Sequence, residues 1–245
     1  MDKNGVLITV VKRLKWDLRS FLAQFPSIYL PLTSLRGKEH QLVVDPHTDL
    51  VIDGYPRSGN TFALIAFTLA QPGELRVGHH LHAPAQVIWS VKNNIPVLVL
   101  IRQPINAVIS FLIYERFPTI QQSLRDYIRY YRKIMPFREG FVIARFEEVT
   151  EDFGEVIQRV NSHFGTNFHK FKHTDENVQK CFELIEILFD NVIKGDREIE
   201  IVVGRPSPSR EALKVQLKTE LLSPTYQEAL SEAWQVYYEF TGKKS

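Results

Sequence analysis

The stretch Val51–Thr61 reads VIDGYPRSGNT, and its reading decides the fold. The apolar run Leu50-Val51-Ile52 ends in Asp53-Gly54, and a tight polar loop, Tyr55-Pro56-Arg57-Ser58-Gly59-Asn60, follows. Thr61 then opens Phe62–Leu69, an apolar segment with the character of a buried helix. Strand, glycine-bearing loop and helix, in that order, form a cradle for an anion. The loop and helix-end N–H groups point at the ligand, and the helix dipole favours its charge.

Set against the nucleotide-triphosphate pattern G-x-x-x-x-G-K-[ST], Gly54, Gly59 and Thr61 fit, while Asn60 stands where the lysine belongs. That lysine normally reaches the β- and γ-phosphates. The basic residue here is Arg57, inside the loop. The cradle is kept and the γ-phosphate hook is lost, so the expected ligand is a nucleotide bearing anions other than an ordinary γ-phosphoryl group.

Outward from the cradle, Pro96–Ile101 is a continuous apolar run, the pattern of a strand buried on both faces, and Gly140–Phe146 reads as a third buried strand. Helical segments alternate with them. The fold class expected is α/β, a mainly parallel sheet flanked by helices with a P-loop-like nucleotide cradle. No linker or repeat divides the 245 residues, so one domain is expected over 1–245: an N-terminal helix and loop over 1–40, and C-terminal helices over 211–240. Thr119-x-x-Gln122 is a capping box ahead of a helix. Asp196–Ser209 reads as a long polar loop.

A second anion site is legible at Arg102-Gln103-Pro104, with Ser110 eight positions on. Arg102 ends a buried parallel strand, the edge at which open α/β sheets bind ligands. A planar guanidinium and a hydroxyl from the following helix can meet on one phosphate. Gly78-His79-His80-Leu81-His82 brings three histidines together. A metal is not expected there, because no nearby carboxylate or cysteine completes a ligand set. A neutral imidazole acting as general base is the favoured reading. If the stretch is extended, His80 and His82 share one face and His79 the other.

Composition excludes some classes. A formal net charge of +2 is too small to argue for nucleic acid as partner. The single cysteine, Cys181, cannot form an internal disulfide. No apolar run is long enough to span a bilayer and no signal-peptide pattern opens the chain, so a cytoplasmic protein is expected. Within residues 6–25, Leu7, Val10, Val11, Leu14, Leu18, Phe21, Leu22 and Phe25 share a helical stripe that Lys12, Arg13, Lys15 and Arg19 largely avoid. Two readings stand: a helix packed on the domain by that stripe, or a basic amphipathic helix in peripheral contact with a membrane.

The cradle, Tyr55–Phe62, closely resembles the Y-P-[KR]-S-G-[TN]-T-[WF] motif of the sulfotransferases that use PAPS, 3′-phosphoadenosine 5′-phosphosulfate. The resemblance runs over roughly 50–214. It implies PAPS as co-substrate, no metal, and a small-molecule, sugar or lipid acceptor. It implies that Arg57, Ser58, Gly59, Asn60, Thr61 and Phe62 hold the 5′-phosphosulfate, and that Arg102 and Ser110 hold the 3′-phosphate. Arg205, with Arg210 beside it, corresponds to a closing basic loop. Catalytic roles fall on Arg57 and on His80, whose pairing with Leu81 is similar to the family's T-H-L stretch. His82 is the second candidate, because the family's preceding lysine falls on Gly78. Phe146 stands where the family has a tyrosine. The activity implied is sulfuryl transfer to a hydroxyl or amine. Two alternatives stand beside it, an ATP-dependent small-molecule kinase and a non-catalytic nucleotide-binding scaffold of the same fold.

Overall fold

A computed structural model of the chain describes residues 3–35, 43–190 and 208–242. Among them, four short parallel strands form one sheet: β1 (Leu50–Gly54), β2 (Val77–His79), β3 (Val97–Ile101) and β4 (Val142–Arg145), in the order β2-β1-β3-β4. In chain order the α-helices are α1 (Lys3–Leu22), α2 (Pro26–Ser34), α3 (Asn60–Ala70), α4 (Pro84–Lys92), α5 (Pro104–Glu115), α6 (Ile120–Ile134), α7 (Phe146–Glu151), α8 (Phe153–Phe164), α9 (Asp175–Asp190), α10 (Pro208–Leu221) and α11 (Gln227–Thr241).

β1 and β3 are buried along their whole length, and successive side chains enter opposite layers. Leu50, Ile52, Leu98 and Leu100 pack with Phe62, Phe67, Val156 and Ile157 of α3 and α8. Val51, Val97, Val99 and Ile101 pack with α4, α5, α6 and α11 through residues such as Ile88, Val108, Tyr131 and Phe240. Helices therefore cover both faces of an all-parallel sheet, as the continuous apolar runs require. β1 lies between β2 and β3, so the chain leaves it first to one side and then returns to the other. Ligand crevices of open α/β sheets form at such a switch, outside the carboxyl ends of the strands. The phosphate loop, His79, Arg102 and Phe146 all follow those ends.

The capping box at Thr119 forms as expected: its hydroxyl accepts from the Gln122 N–H at 3.1 Å, and the Gln122 side chain accepts from the Thr119 N–H at 3.1 Å. Two features of the N-terminal region differ from expectation. The loop expected after the first helix is partly helical: Pro26 begins α2, because proline at the first helical turn has no N–H to satisfy and a pre-set φ. The apolar stripe of α1 is not its packing face. Leu7, Val10, Val11, Leu14, Leu18 and Phe21 are exposed, and the helix docks by its other side through Trp16 and Ala23 and a set of polar contacts. Of the loop expected over 196–209, only 208 and 209 are described, and Pro208 opens α10.

Candidate active site

The loop after β1 is held from below. A Cβ on Gly54 would overlap the Leu100 carbonyl of β3, so close strand approach requires glycine here. Gly59 caps α3 at φ 94°, a left-handed conformation natural to glycine. The Asn60 amide donates to the Tyr55 carbonyl at 3.2 Å, which folds that side chain back into the loop. Buried tyrosines complete the support. Tyr55 Oη donates to the Ser123 carbonyl at 3.1 Å, and Tyr131 Oη donates to the Leu100 carbonyl at 2.8 Å while lying 3.4 Å from Ser58 Oγ.

Three guanidiniums from distant segments converge on this loop. Arg57 Nε and Arg210 Nη2 each donate to Ser110 Oγ at 3.2 Å. Arg102 Nη1 donates to the Arg57 carbonyl at 3.2 Å, and its guanidinium lies 3.8 Å from the centre of the Phe146 ring. Arg102 Nε is buried and has no hydrogen-bond partner among the described residues. Burial, with the positive charge of Arg210 acting in the same sense, lowers the Arg57 and Arg102 pKa values to about 10. All three remain cationic at neutral pH. Their mutual repulsion favours an anion among them.

The histidines lie on the other flank. β2 ends at His79, and His80 and His82 both adopt left-handed φ, 58° and 46°. The stretch is therefore not extended through His82, and the expectation that His80 and His82 share a face while His79 turns away fails. His79 Nδ1 and His80 Nδ1 are 2.7 Å apart, and His80 Nε2 is 2.9 Å from Thr61 Oγ1, so both ring nitrogens of His80 are engaged. His82 Nδ1 donates to the Gly54 carbonyl at 2.7 Å, which fixes the tautomer and leaves the lone pair on Nε2. Burial pushes the pKa down to about 4 for His80 and about 3 for His79 and His82, so all three are neutral at pH 7.

Asp53 organises this turn. Its carboxylate accepts from the Gly54 N–H at 2.7 Å, the His82 N–H at 3.1 Å and the Gln86 amide at 3.2 Å, and from the Ala83 N–H. Complete burial outweighs those donors and raises its pKa to about 7. Asp53 is not among the residues expected at the site from sequence, although an acid ending an apolar strand is a signal.

Beside the loop and the histidines runs a cleft lined by Trp16 and Ser20 of α1, Tyr55 and Pro56 of the loop, His82, and Tyr130 of α6. Arg19, Arg129 and Asp126 also line it, and Arg129 pairs with Asp126 at 3.2 Å. Tyr130 Oη is buried without a partner among the described residues.

Of the residues expected at the site, Arg57, Arg102, Ser110 and Arg210 come together, as do Thr61 and His80, with His82 beside the loop. Gly59 and Asn60 shape the loop. Ser58 is fully buried against Tyr131, and the Phe62 ring packs into the core against Phe171 and Phe182, so each can offer a ligand only its backbone N–H. Arg205 lies outside the described residues. The absent tyrosine hydroxyl at Phe146 is replaced by an aromatic face beneath Arg102.

No family model matches the sequence, and no curated protein matches it. Among solved structures the chain is similar to a mouse sulfotransferase, SULT7A1, determined in complex with PAP. The two are 13% identical, the match covers 80% of this chain and 91% of that one, and the TM-score is 0.41.

Proposed function

We propose that the protein transfers a sulfuryl group from PAPS to a hydroxyl or amine of an acceptor held in the cleft beneath α1. The observation that carries this reading is a cluster of three guanidiniums, Arg57 and Arg210 meeting on Ser110 and Arg102 bonded to the Arg57 carbonyl, at a phosphate loop that has no Walker lysine. Such a site suits a nucleotide with two separated anionic groups. PAPS fits it: the loop N–H groups and Arg57 would hold the 5′-phosphosulfate, and Arg102, Ser110 and Arg210 the 3′-phosphate. Asn60 argues against an ordinary kinase, because its amide is tied to Tyr55 rather than available to a γ-phosphate.

Sulfuryl transfer, like phosphoryl transfer, is driven mainly by positioning and charge stabilisation. Arg57 would steady the charge that grows on the leaving phosphate. His82 is favoured as base over His80, because its Nε2 lone pair is free of the Gly54 bond and its ring borders the cleft. His80, bonded to Thr61, links the histidines to the cradle.

The test is thermal shift with adenosine 3′,5′-bisphosphate and with AMP. The bisphosphate raises Tm well beyond AMP at equal concentration, and Arg102→Ala removes most of the difference. Equal shifts from the two nucleotides refute the 3′-phosphate assignment. Binding without sulfate transfer to any of a broad acceptor panel leaves the non-catalytic scaffold as the reading.

A further inference from the structure

Helix α1 is amphipathic in an unusual sense: its apolar face is the one turned outward. Leu7, Leu14, Leu18 and Phe21 are 64%, 62%, 59% and 52% exposed. From α2, Ile28, Leu32 and Leu35 are exposed as well. The opposite side of α1 attaches it to the domain largely by polar bonds. Arg13 Nε donates to the Phe117 carbonyl at 2.6 Å, Arg19 Nη2 to the Leu81 carbonyl at 2.6 Å and Ser20 Oγ to Asp126 Oδ1 at 2.8 Å, and Trp16 also bonds Asp126. A water-facing helix normally shows the reverse arrangement. An exposed apolar patch of this kind marks a contact surface.

Charge identifies what covers it. Arg13 and Arg19 are turned to the domain by those bonds, but Lys12 and Lys15 are exposed with no ion pair among the described residues. The one acid within α1, Asp17, is already engaged by Arg125 and by the Gln122 amide at 3.0 Å. A two-fold contact with a second copy would bring two such basic flanks together with no free acid on α1 to pair them. An anionic lipid surface meets both requirements at once. The apolar stripe enters the acyl boundary, and the lysines reach the headgroups.

We infer that the protein binds anionic membranes peripherally through the outer face of α1, extended by α2. This inference does not rest on sulfuryl transfer. Its readout is vesicle binding, and nucleotide thermal shift measured on the same preparations keeps the two readings separable. Full-length protein is floated with phosphatidylcholine vesicles, with and without phosphatidylserine. It floats with the anionic vesicles and largely stays behind with the neutral ones. Lys12→Gln/Lys15→Gln weakens binding roughly 30-fold, from about 1 kcal/mol per basic residue near the surface. Leu14→Glu/Leu18→Glu abolishes flotation while Tm and the bisphosphate shift stay unchanged, since both leucines already face solvent. Overturning results are no flotation by a folded, nucleotide-binding protein, flotation indifferent to both double variants, or a concentration-dependent dimer in sedimentation that Leu14→Glu/Leu18→Glu dissociates.

Discussion

Replacing Asp53 by asparagine isolates the electrostatics of the histidine turn. The Asp53 carboxyl is fully buried, and its pKa rises from the ordinary 3.8 to about 7. A group with a raised folded pKa supplies stability that is fully present below the unfolded pKa and is lost as pH climbs through the folded one. Between pH 5 and pH 8 the unfolded chain has already released this proton while the native state gives it up late. Integrating that linkage gives a loss of about 2.5 kcal/mol over the interval from this group alone. Other groups work in the opposite sense. The three histidines have depressed folded pKa values, so their stability contribution is lost as pH falls from 6.5 toward about 3 to 4. The absolute curve therefore mixes both trends, and the informative quantity is the difference between variant and parent. Asp53→Asn keeps one oxygen for the Gly54 and His82 N–H groups. Its new amide opposes the Gln86 amide, so it begins less stable at pH 5. Urea unfolding at pH 5 and pH 8 then shows the gap narrowing or reversing by roughly 2–3 kcal/mol. Parallel stability curves for the two proteins refute a buried, late-ionising Asp53.

Two further expectations concern the chemistry. His82→Ala lowers transfer by about 10²–10⁴-fold with bisphosphate binding intact. His80→Ala chiefly weakens nucleotide binding through Thr61, and the opposite pattern of losses in turnover and binding assays returns the base to His80. Tyr130→Phe removes a buried hydroxyl that has no partner among the described residues, so Tm stays level or rises. The same change raises the apparent KM for acceptor, and an unchanged KM means that the cleft under α1 does not bind the acceptor.

The cradle was legible because its signal is an ordered pattern. An apolar strand, glycines at fixed positions and an apolar helix leave few other ways to fold Leu50–Ala70. β3 and β4 were legible for a related reason, since runs such as Val97–Ile101 bury both faces. The histidine geometry was not legible. It depends on left-handed backbone at His80 and His82, which only the tether from Asp53 to the His82 and Ala83 N–H groups makes sense of. α2 was missed because proline carries opposite meanings at a helix end and at a helix start, and only Phe25's extended backbone decides between them. The periodicity of α1 was read correctly, but a stripe does not say which side faces the domain. Trp16, Arg13 and Arg19 decided that through bonds to residues such as Asp126, far along the chain.

The arginines and histidines on the two flanks of the loop are coupled under the proposed reading. In the free protein, burial holds the His82 imidazole at a pKa of about 3, and nearby positive charge from Arg19 and Arg57 adds to that. Such an imidazole is unprotonated but a feeble base, because basicity falls with pKa. A bound donor brings negative charge to the same loop. Each such charge favours imidazolium and raises the His82 pKa. The same anions relieve the repulsion among Arg57, Arg102 and Arg210. Donor binding therefore does two things in one step: it satisfies the cationic cluster, and it makes the neighbouring imidazole able to accept a proton. An acceptor hydroxyl arriving before the donor meets a histidine too weak to activate it, so an ordered sequence, donor first, follows from the charges around a single loop.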